Sequence, residues 1–323
     1  MTNNRKPIGG YFELELNRGR EFPHSEGILT NSGRHALEYI LRGLPKKPNM
    51  VWLPSYTCEV VLQPLNNLGI QHQFYAINSN LHIEEYPVLN NNDYIIVNNY
   101  FGILDEYMRE VSDKYLDKLI IDNSQAWYAR ELSGIKQFYS PRKYFGVPDG
   151  GIALVTKFTD NNLEQDISFD RCSHLLKRID LGSVAGYMDF RVNSAALAKE
   201  PLKRMSKLTE KVLQSIDFEG AKAKRRENFN ILHSALRATN KYKIPDLSTF
   251  SCPMAYPYVS DNEPLRQRLI DNNIFVATYW PNVFEWCRTD SNEYYLAKHL
   301  LPLPVDQRYD AEDMDYIIKI IKG

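Results

Sequence analysis

The chain has 323 residues, and its 39 Lys and Arg side chains nearly cancel 40 Asp and Glu, leaving a formal charge of −1. That balance argues against nucleic acid or an anionic membrane as the main partner. No apolar run approaches a transmembrane span, and the opening residues lack the apolar core of a signal peptide. Cys58, Cys172, Cys252 and Cys287 form no Cys-x-x-Cys pair, so no metal site is expected and the usage fits a reducing, cytoplasmic setting.

In chain order, Gly9–Leu16 alternates after its glycines and reads as an N-terminal strand. Leu29–Arg34 leads into His35–Arg42, whose apolar residues recur at helical spacing, with Asn31 or Ser32 as the N-cap. Such a helix start presents free N–H groups to an anion; Gly33 permits close approach, and Arg34 adds a charged donor. Met50–Cys58 reads as a buried strand and turn, Glu59–Leu65 as a helix, and Gly69–Ile77 and Tyr94–Gly102 as further strands. Leu119–Ile121 and Ile152–Val155 are short β-branched runs. Strand and helix thus alternate between residues 50 and 155, which predicts a mostly parallel sheet covered on both faces.

Beyond Val155 the expectation is a charged helical stretch over Asp160–Asp180, a connection over Gly182–Arg191, and long amphipathic helices over Ala195–Gln214 and Gly220–Leu236. Asn240–Pro245 reads as a boundary, giving a large α/β domain over residues 1–240 and a small C-terminal one over 241–323. The small domain would hold a proline-interrupted edge strand (Phe250–Val259), a helix (Glu263–Asn272), a strand (Ile274–Pro281) and a closing helix (Asp310–Ile321).

The stretch from Lys118 to Val155 carries the chemistry. Asp122 closes one strand, and Lys143 stands in a Pro- and Gly-punctuated segment before the next. Ligands of α/β sheets gather at the carboxyl ends of strands. By spacing alone, a capping Asp122 and a solvated Lys143 form the commoner arrangement. The alternative is a lysine that forms a Schiff base, with an acid that keeps a pyridine ring protonated.

Asp122-Asn123-Ser124-Gln125-Ala126 resembles the Asp-x-Ala-Gln/His-Ala segment of the DegT/DnrJ/EryC1/StrS family, the sugar aminotransferases dependent on pyridoxal phosphate (PLP). Pro141-Arg142-Lys143, followed by Asp149-Gly150-Gly151, resembles that family's Pro-x-Lys…Glu-Gly-Gly block at the same spacing. The resemblance implies fold type I of the PLP-dependent transferases, the aspartate aminotransferase fold, with a smaller C-terminal α+β domain. It also implies that Lys143 carries the cofactor, Asp122 partners the pyridine nitrogen and Gln125 neighbours the ring hydroxyl. The phosphate would sit at Ser32, Gly33 and Arg34.

Several positions depart from the family pattern. Arg34 replaces a threonine, Cys58 stands where an aromatic stacks on the ring, and Phe138 replaces a phosphate-binding serine. Tyr56 and Ser140 are the nearby substitutes. Asn99 lies near a position where relatives carry histidine. The implied function is transamination of a nucleotide-linked keto-sugar in polysaccharide or glycoconjugate synthesis, with a donor such as glutamate and a homodimeric site. Retained Lys143 argues against the family's dehydratases, which carry histidine there. Other PLP chemistry on the same scaffold, and a non-catalytic relative, are the alternatives.

Overall fold

The structure is a computed structural model that describes residues 10–17, 21–155 and 162–323. Ser32 caps the first helix: its hydroxyl accepts the His35 N–H, and Ala36, Leu37, Ile40 and Leu41 face inward. That helix, α1 (Gly33–Arg42), follows β1 (Ile28–Thr30). β2 (Met50–Pro54), α2 (Leu62–Asn67, entered by a 3-10 turn), β3 (Gln71–Tyr75), β4 (Asp93–Asn98), α3 (Asp105–Tyr115) and β5 (Leu119–Asn123) come next. β6 (Lys136–Tyr139) and β7 (Gly151–Leu154) complete a seven-stranded sheet of order β1-β7-β6-β5-β4-β2-β3.

The run from β3 to β6 is parallel, whereas β7 is antiparallel to both β6 and β1. Strand alternation divides the core between two faces. Ile96, Ile120 and Phe138 point to the side covered by α1, and Ile95, Val97, Leu119 and Ile121 to the other. The mostly parallel, two-sided sheet is therefore as expected. β6 was not foreseen; it lies inside the aromatic connector between Asp122 and Lys143 and carries the chain back to the carboxyl edge.

The rest comprises α4 (Ser173–Leu181), α5 (Tyr187–Lys199), α6 (Lys207–Gln214), α7 (Phe218–Leu236), β8 (Ala255–Val259), α8 (Pro264–Asp271), α9 (Val283–Trp286), α10 (Asn292–His299), β9 (Leu300–Pro304) and α11 (Ala311–Lys322). β8 and β9 form a separate antiparallel pair. α7 packs on both α11 and β8, and one apolar cluster runs from the large sheet into this C-terminal layer.

Five sequence expectations are corrected. Residues 10–17 contain no strand, and Tyr11 and Phe12 are 98% and 91% exposed with no neighbouring ladder; Gly9 lies outside the described residues. Within the stretch read as Asp160–Asp180, whose first two residues are outside the described ones, a 3-10 turn forms at Phe169–Arg171 and α-helix begins only at Ser173. Glu164 and Asp166 instead exchange backbone bonds with Arg204. The connection drawn over Gly182–Arg191 ends at Gly186, where α5 begins. The helix drawn over Ala195–Gln214 breaks at Pro201, which has no N–H to give. Ile274–Pro281 is not a strand: the Arg266 guanidinium takes the carbonyls of Val276 and Ala277 at 3.3 and 3.0 Å, where a ladder would have taken them.

The junction of α1 with β7 positions the site. Gly150 N donates to Asn31 O at 2.9 Å, and Ser32 bridges Gly150. A Cβ on Gly151 would overlap the Ser32 carbonyl oxygen and lie 2.7 Å from Gly33 N. Gly151→Ala must therefore push backbone apart, and a loss of about 3 kcal/mol is expected in urea unfolding, at the upper end for overpacking. A loss below about 1 kcal/mol would mean that the helix start yields freely.

Candidate functional site

The apolar run of β5 ends in Asp122, which the parallel register places beside Asn98 of β4 and Phe138 of β6. After β6 the chain turns through Ser140 into a single 3-10 turn, Pro141–Lys143. The next residue anchors this turn. Tyr144 donates its hydroxyl to Gln125 O at 2.8 Å, and its carbonyl accepts from Arg225 Nη2 at 3.1 Å and Gln307 Nε2 at 3.0 Å. Arg225 is 1% exposed, lies 4.4 Å from the Tyr144 ring centre and also donates to Met254 O. The lysine turn is thereby tied to the C-terminal layer by buried charge-assisted bonds.

At the carboxyl edge lies a cavity of about 160 Å³ lined by Ser32, Gly33, Arg34, Asp122, Gln125, Ser140 and Lys143. Lys143 Nζ donates to Ser124 Oγ at 3.0 Å, and Asp122 Oδ1 accepts the Ser124 N–H at 2.7 Å. Ser124 thus links the amine to the acid. Burial raises the Asp122 pKa above its ordinary value, opposed by the Lys143 charge and by the Ser124 hydroxyl and N–H.

The other end of the cavity is cationic. Ser140 packs against Gly33 at the start of α1: a Cβ on Gly33 would lie 3.3 Å from Ser140 Cβ and 3.6 Å from its Oγ. Ser32 Oγ, by contrast, is committed to His35, accepting its N–H at 3.3 Å and bonding Nδ1 at 2.9 Å. Arg34 reaches Gln63 Oε1. Gln125 lies in the wall with its Oε1 accepting the Phe101 N–H at 2.8 Å.

Tyr56 is not in the wall. It is fully buried behind it, packed on Tyr100 and Trp280. Asn99 is likewise structural, bonded to Asp105, Asn123 and the Leu104 N–H. Cys58 and Asn99 do line the cavity, and so do residues that sequence reasoning did not assign to the site, among them Ser124, Arg142, Asn98 and Trp280. Arg142 adjoins the lysine and was visible in the motif. Trp280 comes from the segment misread as a strand and had no signal. Asn98 Oδ1 is buried without a partner.

A second cavity, about 550 Å³, shares Arg142 and Lys143 with the first and adds Arg178, Tyr187 and Phe190. The lysine therefore stands in the wall between two spaces, one enclosed by the sheet edge and one opening under α4 and α5.

The fold is shared with solved structures. An aminotransferase of DegT DnrJ EryC1 StrS type from Brucella abortus matches with a TM-score of 0.61 at 15% identity, over 92% of this chain and 85% of that one. The chain has the aminotransferase fold. The sugar aminotransferase CalS13 from Micromonospora echinospora matches with a TM-score of 0.59 at 14% identity, over 91% of this chain and 86% of that one. Spr1654 from Streptococcus pneumoniae in its PLP-form gives 0.63 at 14% identity, over 93% and 87%. No family model and no curated protein matches the sequence. At these identities the aminotransferase fold is what is shared.

The buried charge at Asp122 sets a pH dependence. A pKa raised by folding means that the fold favours the protonated acid, so stability falls as pH rises past the unfolded value of ~3.9. Asp122→Asn keeps an acceptor for Ser124. Without cofactor it should melt higher than the wild type at pH 7, with the gap closing as pH falls to about 4. Coincident melting curves at both pH values would remove this charge from the balance.

Proposed function

We propose that the chain is a PLP-dependent aminotransferase acting on a nucleotide-linked keto-sugar, with an amino donor such as glutamate. The observation that carries the reading is one cavity that holds Lys143 and Asp122 at one end and a helix start with arginines at the other. Those residues fit the cofactor: an amine and a carboxylate joined through Ser124, a glycine cradle at Gly33, and the unpartnered Nε of Arg142 at the anion end. Aminotransferases of the same fold, one of them solved in PLP- and PMP-forms, add support.

PLP, when bound, supplies an electron sink for moving an amino group. The chain's own residues would do the rest. Lys143 Nζ serves as nucleophile and as the group that moves a proton, and Ser124 Oγ orients it. Asp122 balances positive charge on the ring nitrogen, which favours its own ionised form against burial. Ser140, Gly33 and Arg34 hold the anionic end. The second cavity would take the acceptor: Arg178 suits a diphosphate, and the rings of Tyr187 and Phe190 suit a base or sugar face.

A homodimer belongs to the same proposal. The hairpin of α4 and α5 exposes Leu176, Ile179, Leu181, Val184, Met188 and Val192 near that cavity, the kind of apolar side chains an interface would cover. A second copy would cover it. Sedimentation should give the mass of two chains, and Leu176→Asp with Ile179→Asp should give one; a monomeric wild type would remove the dimer.

Lys143 is exposed in a loop, so Lys143→Ala should keep the fold. The variant should lose transamination by roughly 10²–10⁴-fold or more, the range for a proton-moving group. Borohydride reduction with added PLP, followed by mass spectrometry, should label Lys143. A label on another lysine, or none with an unchanged visible spectrum, would favour the non-catalytic relative.

A further inference from the structure

Two arginines, Arg34 in the first turn of α1 and Arg142 beside Lys143, line the first cavity with no ion-pair partner among the described residues. The charge of Arg34 lowers the Arg142 pKa further after burial has lowered it, to about 10. The charge of Asp149 favours the Arg142 cation, but its oxygens form no ion pair with it. Its carboxylate accepts from Ser206 N and Ser206 Oγ at 2.9 Å each and from Thr209 Oγ1, at the start of α6. Among the described residues no carboxylate pairs with either arginine. Arg142 Nη2 has only a 3.3 Å bond to Ser194 Oγ, and its Nε is fully buried with no partner. A largely buried guanidinium with an unsatisfied Nε, beside a second cation, is costly unless an anion completes the group.

We infer that Arg142 is a phosphate ligand, which with Arg34, Ser140 and the N–H groups of α1 forms a doubly cationic seat for the cofactor's phosphate. This rests on the PLP reading and goes beyond it. The related motif uses hydroxyls here, a serine at the position of Phe138 and a threonine at the position of Arg34. In this chain guanidinium groups replace them. Phe138 lies in the cavity wall and has nothing to donate, so a dianion must take its hydrogen bonds from other groups. Arg142 adjoins Lys143 within one turn of 3-10 helix. The residue that holds the phosphate is thus next to the residue that reacts, and a shift in one is felt by the other.

The test compares ligands with and without phosphate. PLP, pyridoxal and inorganic phosphate would be titrated into wild type, Arg142→Gln and Arg142→Lys, with melting temperatures recorded as a fold control. Losing one charge-assisted contact weakens binding by about ten- to a hundredfold. Arg142→Gln should weaken PLP and inorganic phosphate by that factor while leaving pyridoxal unchanged, and Arg142→Lys should recover part of the loss. An unchanged PLP affinity in Arg142→Gln, or an equal loss for PLP and pyridoxal, would overturn the inference while leaving PLP binding intact. A wild type that binds inorganic phosphate in an Arg142-dependent way but takes no PLP would instead overturn the PLP reading alone. Neither ligand binding would overturn both.

Discussion

The site depends on one backbone contact, the approach of the first helix to the strand that follows the lysine. Ser32 and Gly33 lie so close to Gly151 that no side chain fits between them. This contact sets where the free N–H groups of α1 point relative to the turn that carries Ser140, Arg142 and Lys143. The glycine pair thus acts as a spacer of zero thickness. Without it, the cationic end and the amine end of the cavity would belong to separate parts of the surface. Arg225 completes the placement from the opposite side by gripping the Tyr144 carbonyl.

Much of this was legible in the sequence, for physical reasons that differ from residue to residue. Asp122 and Lys143 stood out because short β-branched runs flank them and Gly and Pro punctuate the loop between. Ser32 announced a helix through its capping chemistry, and the structure gives it that role. β6 was hidden because Lys136–Tyr139 mixes polar and aromatic residues without alternation against solvent; three of its four residues are buried. α5 was hidden for the converse reason. Tyr187, Met188, Phe190 and Val192 are exposed while Leu197 is buried, so no single inward stripe marks it.

The strand misread at Ile274–Pro281 shows where pattern reasoning fails on principle. Its β-branched content favours an extended chain, and the chain is extended in part. What pattern cannot show is that Arg266, from the preceding helix, supplies the hydrogen bonds that a neighbouring strand would have supplied. Trp280 reaches the cavity only because this segment is free of a ladder. Tyr56, chosen by its nearness to the expected position, is packed behind Trp280 in the core. Of the two aromatics lining the cavity, Phe138 and Trp280, the second thus comes from a segment more than two hundred residues beyond Tyr56.

The pairing of β1 with β7 has a consequence for how the molecule forms. Leu29 faces Ile152, and Asn31 accepts from the Gly150 N–H and donates its own N–H to the Lys203 carbonyl, so this edge closes only after the chain between has been made and ordered. β2 to β5 are near neighbours in sequence and have shorter loops to close. Contacts between distant residues must overcome loop-closure entropy before they return any stabilisation. The central sheet can therefore assemble first, while the seat at the start of α1 takes shape as the last edge docks. During synthesis, Lys143 would emerge and fold against β5 before its anion seat exists in final form. Competence to hold a phosphate would then be the last property the folding chain acquires.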